Sequence, residues 1–152
     1  MKHSIEKIEI SSLVPHEGIL DWHLKEIRDW IGRDGFQLRP IAVSSLASQG
    51  MEWKGRFLIH DGHHRAASLK SLGCRFIMCS VFDFTDPRIK IFDYDSVSIP
   101  ISKEEVIERA LRGKITPRYD KHFIEIDGGR LVPFHDNPVL EPEKKTSLRE
   151  LV

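Results

Sequence analysis

The amino-acid sequence predicts an α+β fold, in which a small mixed β-sheet is flanked by helices. Segments with strand-like and helix-like spacing of apolar residues alternate loosely along the chain, and turn-forming residues separate them. The chain has 152 residues, of which 40% are hydrophobic. At roughly 100–200 residues per domain, this length predicts a single domain with its own core.

The first half of the chain contains the signals for three strands and two helices. Behind Asp21, a favourable N-cap residue, apolar residues recur at helical spacing, and the pattern breaks at Gly32 to Gly35. A second helix is expected at residues 63–72, because Gly73 is typical of the position just past a helix end. The strands are predicted at residues 5–14, 40–43 and 56–60. The last two are expected to form a hairpin with a long polar loop.

The second half predicts four more strands and one helix. Ser102 and Glu105 have the spacing of a capping box, so a helix is expected directly after Ser102. The sequence Asp127-Gly128-Gly129 is typical of a tight hairpin turn. The strands are predicted at residues 75–84, 89–92, 122–126 and 130–134, with the first of these central in the sheet. Residues 1–136 are expected to form the domain, and residues 137–152 a C-terminal tail whose first half wraps loosely around it.

Charge and cysteine usage exclude some classes of protein. The chain carries 23 basic and 23 acidic residues, so its net charge is zero, which disfavours nucleic acid as a partner. No apolar run is long enough for a membrane span, and no signal sequence is evident. Cys74 and Cys79 are expected to be buried thiols that do not bridge. These features predict a soluble cytoplasmic protein.

The densest polar cluster is the run from His60 to Arg65, where a predicted strand gives way to a predicted helix. The first-turn amides of a helix have no intrahelical partners, and the helix dipole favours an anion there. Gly62 permits close approach of the backbone, so the run predicts a phosphate site. Two alternatives remain: Asp61 is only a helix cap with Arg65 paired to a surface carboxylate, or His60, His63 and His64 bind zinc.

Two further segments contain candidate site residues. Glu17 lies in a Pro-His-Glu-Gly loop after the first strand, where a carboxylate is either a general base or a solvated charge. Between the capped helix and the last hairpin, Arg118, Lys121 and His122 are possible anion donors. An ordinary exposed connection remains the alternative for that segment.

These motifs resemble the ParB/sulfiredoxin-like superfamily over about residues 5–126. The sequence Asp61-Gly62-His63-His64-Arg65 specifically resembles that of the ParB-like free serine kinases, which phosphorylate the hydroxyl of free L-serine. Sulfiredoxins have a reactive cysteine where His63 stands. Partitioning proteins have an acidic-arginine turn there, followed by a helix-turn-helix domain for which the chain has no room.

The resemblance implies a kinase that uses ADP or ATP together with Mg²⁺. It implies that Glu17 is the general base and that Asp61 lies beside the reacting phosphate, orienting the nucleophile or a magnesium ion. The residues implied to hold the nucleotide phosphates are Gly62, His63, His64 and Arg65. The residues implied to bind the acceptor are His122 with Thr116, Arg118 or Lys121. Because the loop that ends at His122 departs from the family pattern, the acceptor is either serine or a similar small molecule.

Two other functions remain open at this stage. One is a stand-alone ParB-like nucleotide-binding module in DNA partitioning or transcriptional regulation. The other is a ParB-like nuclease, which would need acidic metal ligands near Asp61.

Overall fold

The computed structural model describes residues 3–15, 18–93, 99–111, 120–135 and 137–152. Its helices are α1 (Asp21–Asp34), α2 (His63–Ser71) and α3 (Lys103–Leu111). Its strands are β1 (Ser4–Glu9), β2 (Leu13–Val14), β3 (Phe36–Gln37), β4 (Ile41–Ser45), β5 (Phe57–Asp61), β6 (Phe76–Asp83), β7 (Ile89–Asp93), β8 (Asp120–Ile126), β9 (Arg130–Pro133) and β10 (Thr146–Ser147). Among the described residues, none of the helices combines the length and apolarity needed to span a bilayer.

The main sheet is mixed, as the sequence predicts. Its strand order is β1-β6-β4-β5-β2, with β4 parallel to β6 and antiparallel to β5. Strands β7, β8 and β9 form a second, antiparallel sheet, and β3 pairs with β10. The expected hairpin of β4 and β5 is confirmed. Strand β6, which was expected to be central, lies between β1 and β4, and β4 is the middle strand of the sheet.

Strand β4 lies at the centre of the molecule and divides the core into two clusters. Successive residues of a strand point to opposite faces, and here both faces are covered. Ile41 and Val43 pack in the cluster that contains Leu69 of α2. Ala42 packs in the other cluster, with residues of β7, β8 and α3. The strand therefore holds α2 and the second sheet on opposite sides of the main sheet.

Several boundaries differ from those predicted. The first predicted strand is interrupted by a 3₁₀ turn at Ile10–Ser12. Helix α1 has Leu20 rather than Asp21 as its N-cap, whereas its end at Asp34, with Gly35 as C-cap, lies within the predicted break between Gly32 and Gly35. A Cβ at Gly32 would be only 3.4 Å from the side chain of Leu72, so glycine accommodates a close contact there and does not end the helix.

Other local predictions are confirmed. The Glu105 amide donates to Ser102 Oγ at 3.1 Å, which caps α3. Strands β8 and β9 pair around Asp127–Gly129. Cys74 and Cys79 are both buried and unbridged.

The C-terminal segment is packed more closely than expected. Leu140 and Leu151 are buried in the two core clusters, and the Glu141 side chain is also buried. The Lys144 amide donates to the Leu38 carbonyl at 2.8 Å. A loose wrap is therefore wrong at these positions, because the segment fills core space. The domain boundary at residue 136 stays a prediction.

Candidate active site

The turn from β5 into α2 has a backbone geometry that requires glycine. Gly62 has φ of +105°, and a Cβ there would lie 2.3 Å from Cγ2 of Ile41. The first intrahelical hydrogen bond of α2 runs from the Ala66 amide to the Gly62 carbonyl at 2.9 Å. The three amides before Ala66 precede this ladder and face the N-terminal side of the helix. The turn thus has the features expected of an anion site.

A cleft of about 1060 Å³ lies over this turn. Side chains of α1, including Trp22 and Trp30, line one wall, and residues of β8 and the segment after β9 line another. The predicted site residues that line the cleft are Asp61, Gly62, His63, His64, Arg65, Lys121 and His122. Glu17, Thr116 and Arg118 lie outside the described residues, although Gly18 lines the cleft.

Arg65 binds two carboxyl groups beside the turn. Its Nη2 donates to Asp61 Oδ2 at 2.9 Å and to both carboxyl oxygens of Glu141 at 3.0 and 2.9 Å. Its Nη1 lies 3.3 Å from the Pro40 carbonyl oxygen. Arg65 does pair with carboxylates, as one of the sequence-based alternatives states, but one of them is fully buried rather than on the surface.

The two carboxyl groups have opposite pKa shifts. Burial alone would raise the pKa of Asp61, but a hydrogen bond from His135 and the positive charge of Arg65 outweigh it and hold the pKa at about 2. Burial raises the pKa of Glu141 to about 8, and the negative charge of Asp61 adds to this effect against the attraction of Arg65. At neutral pH Asp61 is therefore ionised and Glu141 is mostly protonated.

His64 connects α2 to the start of α1. The Leu20 amide donates to His64 Nε2 at 3.0 Å, so this nitrogen acts as an acceptor. The imidazole of His23 contacts that of His64 edge to face, with ring centroids 4.5 Å apart. His64 therefore fixes one wall of the cleft as well as lining it.

A chain of buried polar side chains runs from Ser44 through His60 to His122, and the two histidines line the cleft. Ser44 Oγ and His60 Nε2 are 2.6 Å apart, and His60 Nδ1 and His122 Nδ1 are also 2.6 Å apart. The His60 ring stacks on Phe134, with centroids at 4.5 Å. This chain links the main sheet to the second sheet and holds the His122 ring in place.

The zinc alternative is not supported by this geometry. Both ring nitrogens of His60 contact Ser44 or His122, and His64 Nε2 accepts from Leu20. Within the described part of the chain, no three His, Cys, Asp or Glu side chains cluster in a way that could hold a metal ion.

Comparison with known proteins points to one group of enzymes. No protein-family model matches the chain. The ATP-dependent L-serine kinase of Desulfurococcus mucosus is 34% identical over 106 residues, which cover 70% of this chain and 40% of that protein. The ADP-dependent L-serine kinase SerK of Thermococcus kodakarensis is 27% identical over 124 residues, covering 71% of this chain and 49% of that protein. The matched region thus spans less than half the length of these curated relatives.

The solved structures identify the fold over the whole chain. A free serine kinase in complex with AMP superimposes with a TM-score of 0.73 at 15% identity, covering 100% of this chain and 95% of that chain. The chain has the free serine kinase fold. A mutant free serine kinase in complex with ADP gives a TM-score of 0.71 at 14% identity, covering 97% of this chain and 94% of that chain. The predicted α+β architecture and the predicted resemblance are both confirmed.

Three residues that contact the site were not predicted from the sequence, namely Ser44, His135 and Glu141. Glu141 and Ser44 are remote in sequence from their partners, and their neighbours in the chain give no signal of a site. His135 lies 3.4 Å from Asp61 and follows the predicted hairpin directly. The only signal for His135 in the sequence is its position directly after the second hairpin strand, which pairs with the strand that contains His122.

Proposed function

We propose that the chain transfers a phosphoryl group from ADP or ATP to the hydroxyl of free L-serine or a similar small molecule. The observation that carries the proposal is the turn at Gly62, which presents the amides of α2 to the cleft beside an ionised Asp61. The fold and the names of the curated relatives support it. Phosphoryl transfer needs mainly positioning and charge stabilisation, which such a turn supplies.

Each step of the reaction has a residue proposed for it. Glu17 accepts the proton of the acceptor hydroxyl as the oxygen forms a bond to phosphorus, and the bond to the leaving nucleotide breaks. The groups proposed to hold the nucleotide phosphates are Gly62, His63, His64 and Arg65. The groups proposed to hold the acceptor are His122 with Thr116, Arg118 or Lys121. Of these, His122 and Lys121 line the same cleft as the turn.

Asp61 fits the proposed need for Mg²⁺. Magnesium in phosphoryl-transfer sites is commonly held by one or two carboxylates plus substrate phosphates, and it neutralises charge that develops on the transferred group. Asp61 is ionised near neutral pH and lies at the start of α2. We propose that Asp61 either holds the metal ion or orients the nucleophile.

The alternative of a DNA-partitioning or regulatory module is less favoured. The curated relatives are named as kinases, and the chain has no net charge. A cytoplasmic location stays part of the proposal, and the two unbridged cysteines fit a reducing compartment.

Phosphorus NMR tests the proposed reaction directly. The protein is incubated with L-serine, Mg²⁺ and either ADP or ATP, and the spectra are followed over time. We expect a new phosphomonoester resonance that depends on both protein and serine, with AMP formed from ADP or ADP formed from ATP. Absence of this resonance with both donors, across a pool of small hydroxylated acceptors, would contradict the proposal.

Substitution of Glu17 tests the proposed general base. Glu17→Gln should lower kcat by at least about 100-fold, because general-base assistance contributes on the order of 10²–10⁴-fold. Nucleotide affinity, measured by calorimetry, should stay nearly unchanged. Glu143→Gln, at an exposed glutamate, is the matched control and should behave as the wild type. Normal turnover in Glu17→Gln would reduce Glu17 to a loop charge.

A further inference from the structure

Glu141 is a buried acid that sequence reasoning does not connect with the site. Its side chain is 1% exposed, and both of its carboxyl oxygens accept from Arg65 Nη2. Its backbone is also held, because its amide donates to the Asn137 carbonyl at 2.7 Å and its own carbonyl accepts from Arg39 Nη1 at 3.1 Å. The carboxyl group is thus fixed in one place.

Arg65 transmits this fixed position to Asp61. The Nη2 group that binds Glu141 also donates to Asp61 Oδ2 at 2.9 Å. The Nη1 group is directed toward backbone carbonyls, at 3.3 Å from Pro40 and 3.5 Å from Arg39. A planar guanidinium held on these sides has little rotational freedom. Arg65 therefore fixes the position of Asp61 Oδ2, and Asp61 Oδ1 faces His135.

We propose that Glu141 is a positioning residue. It acts through Arg65 to fix the orientation of Asp61, the residue proposed to lie beside the reacting phosphate. This inference rests on the function proposed above. It makes the C-terminal segment part of the site, and it gives Arg65 an action on Asp61 in addition to its proposed contact with the nucleotide phosphates. A small displacement of a reacting group costs large factors in rate, so a rigid support of this kind affects kcat.

Two substitutions at position 141 separate positioning from simple packing. Glu141→Ala removes the support and should lower kcat by about 10- to 100-fold, with a smaller change in the nucleotide KM. Glu141→Gln keeps the size of the side chain and one oxygen that can accept from Arg65, so it should keep both kcat and the nucleotide KM within a few-fold of the wild type. Glu143→Ala and Glu143→Gln, at an exposed position in the same segment, should match the wild type in both respects.

Two results would overturn the inference. One is a folded Glu141→Ala protein, verified by its melting temperature, that retains the wild-type kcat. The other is a folded Glu141→Gln protein that loses as much kcat as Glu141→Ala. If Glu141→Ala does not fold, Glu141→Leu, which fills the same space but cannot accept from Arg65, replaces it in both comparisons.

A spectroscopic measurement keeps this inference separate from the proposed reaction. The ¹³C resonance of the Asp61 carboxyl should shift in Glu141→Ala, which removes the support of Arg65, and shift less in Glu141→Gln. No phosphoryl transfer in the wild type together with this shift would refute the function but not the support of Asp61. An Asp61 resonance that is unchanged in Glu141→Ala would refute the support whatever the activity.

Discussion

Asp61 and Glu141 are two carboxyl groups that share one guanidinium, and they ionise far apart in pH. Asp61 has a pKa of about 2 and Glu141 a pKa of about 8. Burial is the main cause of the raised pKa of Glu141, and the negative charge of Asp61 adds to it, because a second negative charge close to the first is disfavoured. Near neutral pH the pair thus has a single negative charge, which suits a site that must also accept phosphates.

The contact between His60 and His122 predicts which state of protonation their two Nδ1 atoms have. Their Nδ1 atoms are 2.6 Å apart, so one nitrogen must donate and the other must accept. We expect ¹⁵N NMR spectra of the imidazoles at neutral pH to show one protonated and one unprotonated Nδ1 in this pair. In Ser44→Ala, which removes the partner of His60 Nε2, the shifts of both rings should change. Two protonated Nδ1 atoms in the wild type would contradict the contact.

At the residue scale, the sequence could predict only those parts of the site that are contiguous. Asp61 to Arg65 are consecutive, so their chemistry is visible as one motif, and the structure places all of them on one cleft. Arg65 and Glu141 are 76 residues apart, and His60 and His122 are 62 apart. Such pairs depend on how the segments pack, and no local pattern encodes that.

At the scale of elements, the start of α2 depends on glycine at position 62. Gly62 and Gly73 both have positive φ, but a Cβ at Gly73 would meet no atom within 4 Å. Gly73→Ala should lower the free energy of unfolding by about 1–2 kcal/mol, the cost of a left-handed residue. Gly62→Ala should lower it by at least about 3 kcal/mol, because overpacking against Ile41 adds to the same strain. Urea denaturation measures both variants, and equal losses would contradict the close contact at Gly62.

Element type was more predictable than element ends. The capped start of α3 and the turn between β8 and β9 follow from local hydrogen bonding and backbone preference, and both are confirmed. The end of α1 was predicted only as a break between Gly32 and Gly35, and the helix ends at Asp34 because the contact that accommodates Gly32, with Leu72, is a tertiary one. The start of α1 likewise depends on a bond from Leu20 to His64, far along the chain.

At the scale of the whole molecule, the cleft depends on the arrangement of the two sheets. Strand β5 ends in the turn at Gly62, and β8 of the second sheet brings His122 to the same cleft. The C-terminal segment contributes Glu141, whose carboxyl group binds Arg65 beside the turn. The chain length predicted a single domain and the alternation of elements a mixed sheet, but neither predicted that residues beyond 136 would support the site.

The pH dependence of stability reflects the two carboxyls. The folded protein binds the Glu141 proton more tightly than the ordinary pKa of 4.5 implies, so the free energy of unfolding should fall as pH rises from about 4.5 to 8. For Asp61, with a pKa lowered from 3.8 to about 2, stability should be lost as pH falls through that range. Melting temperatures measured at a series of pH values should show both trends. In Glu141→Gln the decline toward pH 8 should be smaller, and a curve parallel to that of the wild type would contradict the assigned shift.

The central claim is that the first turn of α2 holds the terminal phosphates of a nucleotide. A crystal structure of the protein with ADP or a non-hydrolysable ATP analogue, together with Mg²⁺, tests it most directly. We expect phosphate oxygens about 3 Å from the amide nitrogens that follow Gly62, with Asp61 facing the terminal phosphorus. A nucleotide bound with its phosphates elsewhere, or an empty turn at saturating nucleotide, would contradict the claim.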